Sequence, residues 1–254
     1  MDKTYLSYLF SLAGHTALVT GSSRGIGKSI AMALGRAGAK IILHGASDSE
    51  TLRATLADAI REGIAAEARP ADLGDIVQCE RLAADCADAD ILVINASAQE
   101  YGHLMDFNDK AFRRMTDTNI GASFRLLKAF GPRMATKGWG RIISIGSINA
   151  AHPAPRLAIY ASTKAAQKAM MLTAAQEWAA NGVTVNTISP GVIATDRNAQ
   201  ALTNPQFAES LRSRIPAARF GTAEDCAGIV VALCSDACSY ITGADIPVDG
   251  GFGL

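Results

Sequence analysis

Thr20-Gly21-Ser22-Ser23-Arg24-Gly25-Ile26-Gly27 joins an apolar run at 15–20 to an amphipathic stretch at 25–37. A strand, a glycine-rich turn and a helix are what that punctuation specifies. Gly21 permits a tight exit from the strand. Gly25 lets the backbone approach a pyrophosphate, and Gly27 lets the helix sit close to the sheet. The helix N-terminus offers free N–H groups and a partial positive charge, both suited to an anion. Ser23, Arg24 and Ile26 complete the candidate cradle.

Outward from this turn, short apolar runs continue to alternate with helical patterns. Strands are expected at 15–20, 40–44, 65–69, 91–95, 140–145, 184–188 and 246–248, with helices such as 25–37, 49–62 and 75–87 between them. Strands rich in Val, Ile and Leu, alternating with helices, argue for a parallel sheet covered on both faces. No Pro- or Ser-rich linker and no internal repeat divides the chain. The expectation is α/β: one doubly wound parallel sheet of about seven strands, in a single domain over 1–254. Two long helices, 108–136 and 159–181, carry more apolar surface than one sheet face needs; Met170, Met171, Leu172 and Trp178 extend the second. That surplus serves either the core or a subunit interface.

Composition narrows the function classes. With 49% hydrophobic and 19% charged residues among 254, a sizeable core is available. Lys plus Arg and Asp plus Glu both number 24, for a formal net charge of +0. Such a chain has no basic field to hold a nucleic-acid backbone. Cys79, Cys86, Cys226, Cys234 and Cys238 form no C-x-x-C pair. They read as small apolar core residues of a protein in a reducing cytoplasm, not as a metal site or disulfides. Cys234 and Cys238, four apart, are expected on one helix face. The apolar stretch 5–13 is too short to span a bilayer and lacks a cleavage site, so it reads as an ordered arm packed on the domain.

A second constellation lies downstream. Tyr160 and Lys164 are four residues apart, Ser147 stands thirteen before the tyrosine, and Asn119 lies between the glycine turn and this group. A free tyrosine has a pKa of about 10, too high for acid/base exchange near neutrality. A lysine one helical turn away shares its face and favours the phenolate. Together the pattern resembles the short-chain dehydrogenase/reductase family, over nearly the whole chain.

That resemblance implies hydride transfer between a nicotinamide and a carbonyl or secondary alcohol. Tyr160 would be the general acid/base. Lys164 would lower its pKa and hold the nicotinamide ribose, and Ser147 would hydrogen-bond the substrate oxygen. Asn119 would hold a water linking Lys164 to solvent. Gly21, Ser23, Arg24, Gly25, Ile26 and Gly27, with Tyr160 and Lys164, would contact the dinucleotide. Asp72 and Leu73 match the family's adenine-binding pair. Asn95-Ala96-Ser97 matches its Asn-Ala-Gly segment, with serine in place of glycine. Pro190, Gly191, Ile193 and Thr195 match the segment along the nicotinamide and pyrophosphate. The acid that selects NAD is replaced by Gly45, and Arg24 suits a 2′-phosphate, which favours NADP(H). NAD(H) stays open, because Ala46 stands where many NADP-using relatives have a second base, and Asp48 is near.

The substrate pocket is expected from 98–104, from 149–157 with His152 and Arg156 beside Ser147 and Tyr160, and from a lid at about 195–220. The stretches 9–14, 204–207 and 215–221 resemble gluconate 5-dehydrogenases and related sugar or polyol dehydrogenases. 3-Oxoacyl-carrier-protein reduction is the alternative, with Arg113, Arg114, Lys128 and Arg133 as a docking patch. A non-catalytic dinucleotide sensor is the alternative from another class. The family also implies a homotetramer acting on a small molecule, without metal, nucleic acid or membrane.

Overall fold

β1 (Thr16–Val19) lies inside a seven-stranded sheet, third from one edge. A computed structural model describes residues 3–196, 198 and 203–254. The other strands are β2 (Lys40–Leu43), β3 (Ala66–Ala68), β4 (Ile91–Ile94), β5 (Gly140–Ile145), β6 (Val183–Pro190) and β7 (Asp245–Val248). Their order is β3-β2-β1-β4-β5-β6-β7, and every pairing is parallel. The order reverses between β1 and β4, which opens a crevice at the carboxyl ends of the strands. All seven expected strands are present; β6 runs further than expected at both ends.

Alternate side chains of the strands enter two cores. On one face, Val19, Ile41, Leu43, Val93 and Ile143 pack against α2 (Gly25–Arg36), α3 (Glu50–Arg61) and the late helix Ala223–Cys234. On the other, Leu18, Ile42, Leu92, Ile142 and Val185 pack against α4 (Ile76–Asp85) and two long helices described next. Burial on both faces is why β4 and β5 are buried at every position.

The stretch expected as one helix at 108–136 is interrupted. It forms α5 (Asp109–Thr116), a π turn at Asp117–Gly121 and α6 (Ala122–Lys137). The wider turn accommodates one extra residue, and such turns concentrate at functional sites. α7 spans Ala158–Trp178 and ends in a tighter turn at Ala179–Asn181. The surplus apolar surface divides between two uses. Met170, Met171 and Trp178 belong to the core, and Trp178 fills the notch that Gly131 leaves in α6. Phe112, Phe124 and Leu172 stay exposed.

Two expectations are corrected. The N-terminal arm contains a helix, α1 (Lys3–Leu9), but Tyr5 and Tyr8 share an exposed face of it. Three residues apart, they cannot both turn inward unless that whole face does. Leu12 is the anchor: it is fully buried, and its amide donates to the Ala37 carbonyl at 2.8 Å. Cys234 and Cys238 do not share a helix, because the helix ends at Cys234 and Cys238 lies in the following turn. All five cysteines are free, and burial pushes the Cys226 and Cys234 thiols up to about 12. No helix among the described residues is long and apolar enough to cross a membrane. The last two helices are numbered α8 (Pro205–Arg212) and α9 (Ala223–Cys234).

Candidate active site

The glycine turn is fixed from below by β4. Thr20 Oγ1 donates to the Val93 carbonyl at 3.1 Å and accepts from the Asn95 and Ala96 amides at 2.9 and 3.1 Å. That uses its donor and both lone pairs. Asn95 Nδ2 donates to the carbonyls of Thr20 and Gly21, at 2.8 and 3.0 Å. Asn95 is thus a brace inside the turn. Gly21 and Gly25 take φ values of +65 and +57, which a side chain would strain. Gly27 has a different reason from close approach to the sheet alone. A Cβ there would overlap the Gly21 carbonyl oxygen and Asn95 Nδ2. His44, which the sequence reading left without a role, is buried at the end of β2 and reaches the Gly21 amide.

The cradle fits an anionic group. Ser49, Asp75, Asn108, Asn204 and Thr222 each cap a helix with a side chain, but Arg24 makes no such bond at the start of α2. The first N–H groups of α2 therefore face the crevice without a side-chain cap, as a phosphate site requires. The Arg24 guanidinium is exposed, 3.9 Å from the Asp196 carboxylate. Ser23 is tied to α3, its carbonyl accepting from Thr55 Oγ1 at 2.8 Å. Ile26 packs on the first core.

The other expected cofactor residues follow or end β3, β4 and β6. Asp72 Oδ1 accepts from the Gly74 amide at 2.9 Å, and Leu73 is buried in the second core. Ala96 and Ser97 continue from β4, and Ala98 bonds to Asn119. Pro190 ends β6, and a Cβ on Gly191 would lie 2.6 Å from that of Asp249. Ile193 is buried and bridges to Gly221. The Thr195 methyl would sit 3.6 Å from a Cβ on Gly25, so the root of the expected lid returns to the glycine turn. Residues 197 and 199–202 of that lid lie outside the described residues.

The second constellation assembles where β5 ends. Ser147 is 7% exposed, and its Oγ accepts from the Asn149 amide at 3.1 Å and from Asn149 Nδ2 at 3.2 Å. With both lone pairs engaged, its hydroxyl hydrogen is directed to donate elsewhere. Tyr160 and Lys164 are 6% and 1% exposed on α7. Lys164 Nζ donates to the Ile145 carbonyl at 2.6 Å and lies 5.9 Å from the Tyr160 ring centroid. The lysine therefore ties α7 to β5 two residues before Ser147. Asn119 sits in the π turn, 1% exposed. Its Oδ1 accepts from the Ala98 amide, and its Nδ2 donates to the Ala98 carbonyl and Thr163 Oγ1, all at 2.8–2.9 Å. The side chain the resemblance gave to a water thus bonds the β4 loop to α7.

His152 and Arg156 are both exposed on the loop between β5 and α7. His152 lies beside Gly253 of the C-terminal tail. The Arg156 carbonyl accepts from the Gly102 amide at 3.0 Å, with Arg156 at φ 67, and this joins two of the expected substrate segments. Two buried polar residues here escaped the sequence reading, Ser123 and Gln167, while half-buried Asn149 stood in an expected substrate segment without a role of its own. Gln167 had a signal, since it lies three residues after Lys164 and so on the same helix face.

Known proteins share this architecture and much of this sequence. A family model described as enoyl-(acyl carrier protein) reductase matches residues 21–253. Gluconate 5-dehydrogenase of Gluconobacter oxydans is 34% identical over 250 residues, covering 96% of both chains. The crystal structure of a 3-oxoacyl-(acyl-carrier-protein) reductase from Agrobacterium tumefaciens with NADP bound superposes with a TM-score of 0.93 at 38% identity, over 97% of each chain. A gluconate 5-dehydrogenase from Burkholderia cenocepacia in complex with NADP and tartrate gives 0.92 at 30% identity, over 97% of this chain and 98% of that one. Full-length likeness of this kind shows that the chain belongs to the short-chain dehydrogenase/reductase family of NAD(P)-dependent oxidoreductases.

Proposed function

We propose that this enzyme interconverts a secondary alcohol and a carbonyl of a sugar acid or polyol, using NADP(H). The observation that carries the reading is the burial of Tyr160 and Lys164 together on α7, with Lys164 bonded to the end of β5 two residues before Ser147. The dinucleotide supplies the hydride when bound. Tyr160 moves the proton at the substrate oxygen, and Ser147 donates to that same oxygen. The Lys164 charge favours the tyrosinate. Gly21, Ser23, Gly25, Ile26, Gly27, Asp72, Leu73, Asn95, Ala96, Ser97, Pro190, Gly191, Ile193 and Thr195 line the dinucleotide's path.

NADP is favoured because Arg24 is exposed at the cradle and Gly45 carries no carboxylate to repel a 2′-phosphate. Both solved relatives described above hold NADP. His152 and Arg156 are the cations nearest in sequence to Ser147 and suit a substrate carboxylate. Acyl thioester reduction is the second reading, favoured by the 38% identity to the Agrobacterium reductase. Arg133 of its expected basic patch is exposed and donates to the Ala83 carbonyl at 3.2 Å. Exposed Phe112, Phe124 and Leu172 on α5, α6 and α7 support a homotetramer, and five free cysteines suit the cytoplasm.

The test is a panel of sugar acids, polyols and acyl thioesters with NADPH or NADH, or with their oxidised forms for the alcohols. Turnover of a sugar acid with the phosphorylated cofactor supports the proposal. Preference for thioesters selects the second reading. Cofactor binding without turnover on any substrate returns the chain to a sensor.

A further inference from the structure

Gln167 and Ser123 are each 1% exposed, in the seam between α7 and α6. A glutamine so far from water destabilises a core unless its amide is fully partnered. Here it is partnered in one direction. Gln167 Nε2 donates to Ser123 Oγ at 2.8 Å, and Ser123 Oγ donates to the Asn119 carbonyl at 2.6 Å. Gln167 Oε1 accepts from Lys164 Nζ at 3.0 Å. Chemistry fixes the sense of every link. The Asn119 carbonyl can only accept, so the serine hydrogen points to it. The serine lone pair then faces Gln167 and calls for its NH2 group. The amide oxygen is left facing Lys164, whose ammonium can only donate.

We infer that Gln167 is a positioning residue for Lys164. Its amide oxygen, aimed by Ser123 and by the π-turn carbonyl of Asn119, fixes the ammonium where it acts on Tyr160 and on the cofactor ribose. The inference rests on the proposed partnership of Tyr160 and Lys164. Lys164 meets Tyr160 on its own helix, the Ile145 carbonyl from β5 and the neutral amide of Gln167, which Ser123 and the Asn119 carbonyl back from α6 and the π turn. Removing the amide oxygen takes an acceptor from a buried cation, which disfavours its charge. Less positive charge beside Tyr160 moves tyrosinate formation to higher pH.

The test uses Gln167→Met, which keeps the length and apolar bulk of the side chain. Tyrosinate absorbance is titrated against pH in the unliganded protein and read as the difference from a Tyr160→Phe version of the same chain. NADPH affinity is measured by fluorescence. A hydrogen bond to a charged group has an energy that places the expected shift of the Tyr160 step on the order of one pH unit upward. The NADPH dissociation constant rises roughly threefold to tenfold, in the range expected for one misplaced hydrogen bond. A step and a dissociation constant that both match the unsubstituted protein overturn the inference. If Gln167→Met fails to fold, Ser123→Ala, which frees the amide to rotate, decides it: an upward shift supports the inference and an unmoved step overturns it. If the unsubstituted protein has no Tyr160-specific step, the acid/base reading fails separately. The NADPH arm then decides the bridge, with a weakened constant in its favour and an unchanged one against it.

Discussion

His44 accepts the Gly21 amide proton on Nδ1 at 3.0 Å, a bond from the end of β2 to the first residue of the glycine turn. Because Nδ1 accepts, the ring proton lies on Nε2, which donates to the Ala71 carbonyl at 2.9 Å. Backbone amides cannot accept, so a doubly protonated ring would set donor against donor. Burial pushes the His44 pKa down to about 4, against the opposing pull of the Ala71 carbonyl. The unfolded chain has the ordinary value near 6.5 and takes up a proton that the folded chain refuses. This contribution to stability is therefore complete above about pH 6.5 and is lost as pH falls towards 4, by at most about 3 kcal/mol. Urea unfolding at pH 7, 5.5 and 4.5 should show that loss, and His44→Gln should lose less over the same interval. Parallel curves for the two proteins would exclude a neutral His44.

Tyr160→Phe keeps the ring and removes the transferable proton. Turnover should fall about 100- to 10,000-fold, the usual share of general acid/base catalysis. NADPH should still bind, because the cradle is untouched. Steady-state rates and a fluorescence titration check both halves. Near-normal turnover would end the proposed mechanism.

Arg24 and Asp196 give opposite expectations. Arg24→Ala should weaken NADPH binding about tenfold and leave NADH nearly unchanged, as expected for one charge-assisted contact to a phosphate. Asp196→Asn removes the carboxylate 3.9 Å from that guanidinium and should tighten NADPH binding. Equal losses for both cofactors in Arg24→Ala would place the 2′-phosphate elsewhere.

Two glycine substitutions separate space from backbone freedom. A Cβ on Gly27 has no room, so Gly27→Ala should destabilise the protein by about 1–3 kcal/mol, as overpacking does, and impair cofactor binding. Gly228 lies exposed inside α9 with nothing within 4 Å of an added Cβ. Gly228→Ala should stabilise by about 0.5–1 kcal/mol through helix propensity. Thermal unfolding measures both, and matching signs would refute the steric account of Gly27.

The sheet was readable in the sequence because its inner strands are buried on both faces. Ile91–Ile94 is continuously apolar, and Gly140–Ile145 is apolar or small except for Arg141, whose buried guanidinium lies over Trp139 and bonds the Gly140 carbonyl, so a pattern remains. Ser147, Tyr160 and Lys164 were readable because spacing along one strand end and one helix places them. Ser123 and His44 were not, and Gln167 was signalled only by its spacing from Lys164. Each has a polar partner from another element, and sequence distance conceals such pairs: Gln167 and Ser123 are 44 residues apart. The π turn was equally hidden, since one extra residue does not disturb the apolar periodicity of 108–136 enough to break it. The arm at 5–13 misled because apolar content indicates a preference for burial, not a surface to bury against.

β1 sits between β2 and β4 in the sheet, but β4 follows β2 by roughly 50 residues in the chain. A ribosome extends a chain by about 5–20 residues per second, so β1 can pair with β2 roughly 2–10 seconds before β4 is available. During that interval Ala17-Leu18-Val19 presents an apolar edge with open backbone groups, a template for any neighbouring nascent chain. Messages truncated before Ile91 should therefore yield aggregating products, and those extending well past Ile94 should not. An interior strand of the finished protein is thus an edge strand during synthesis.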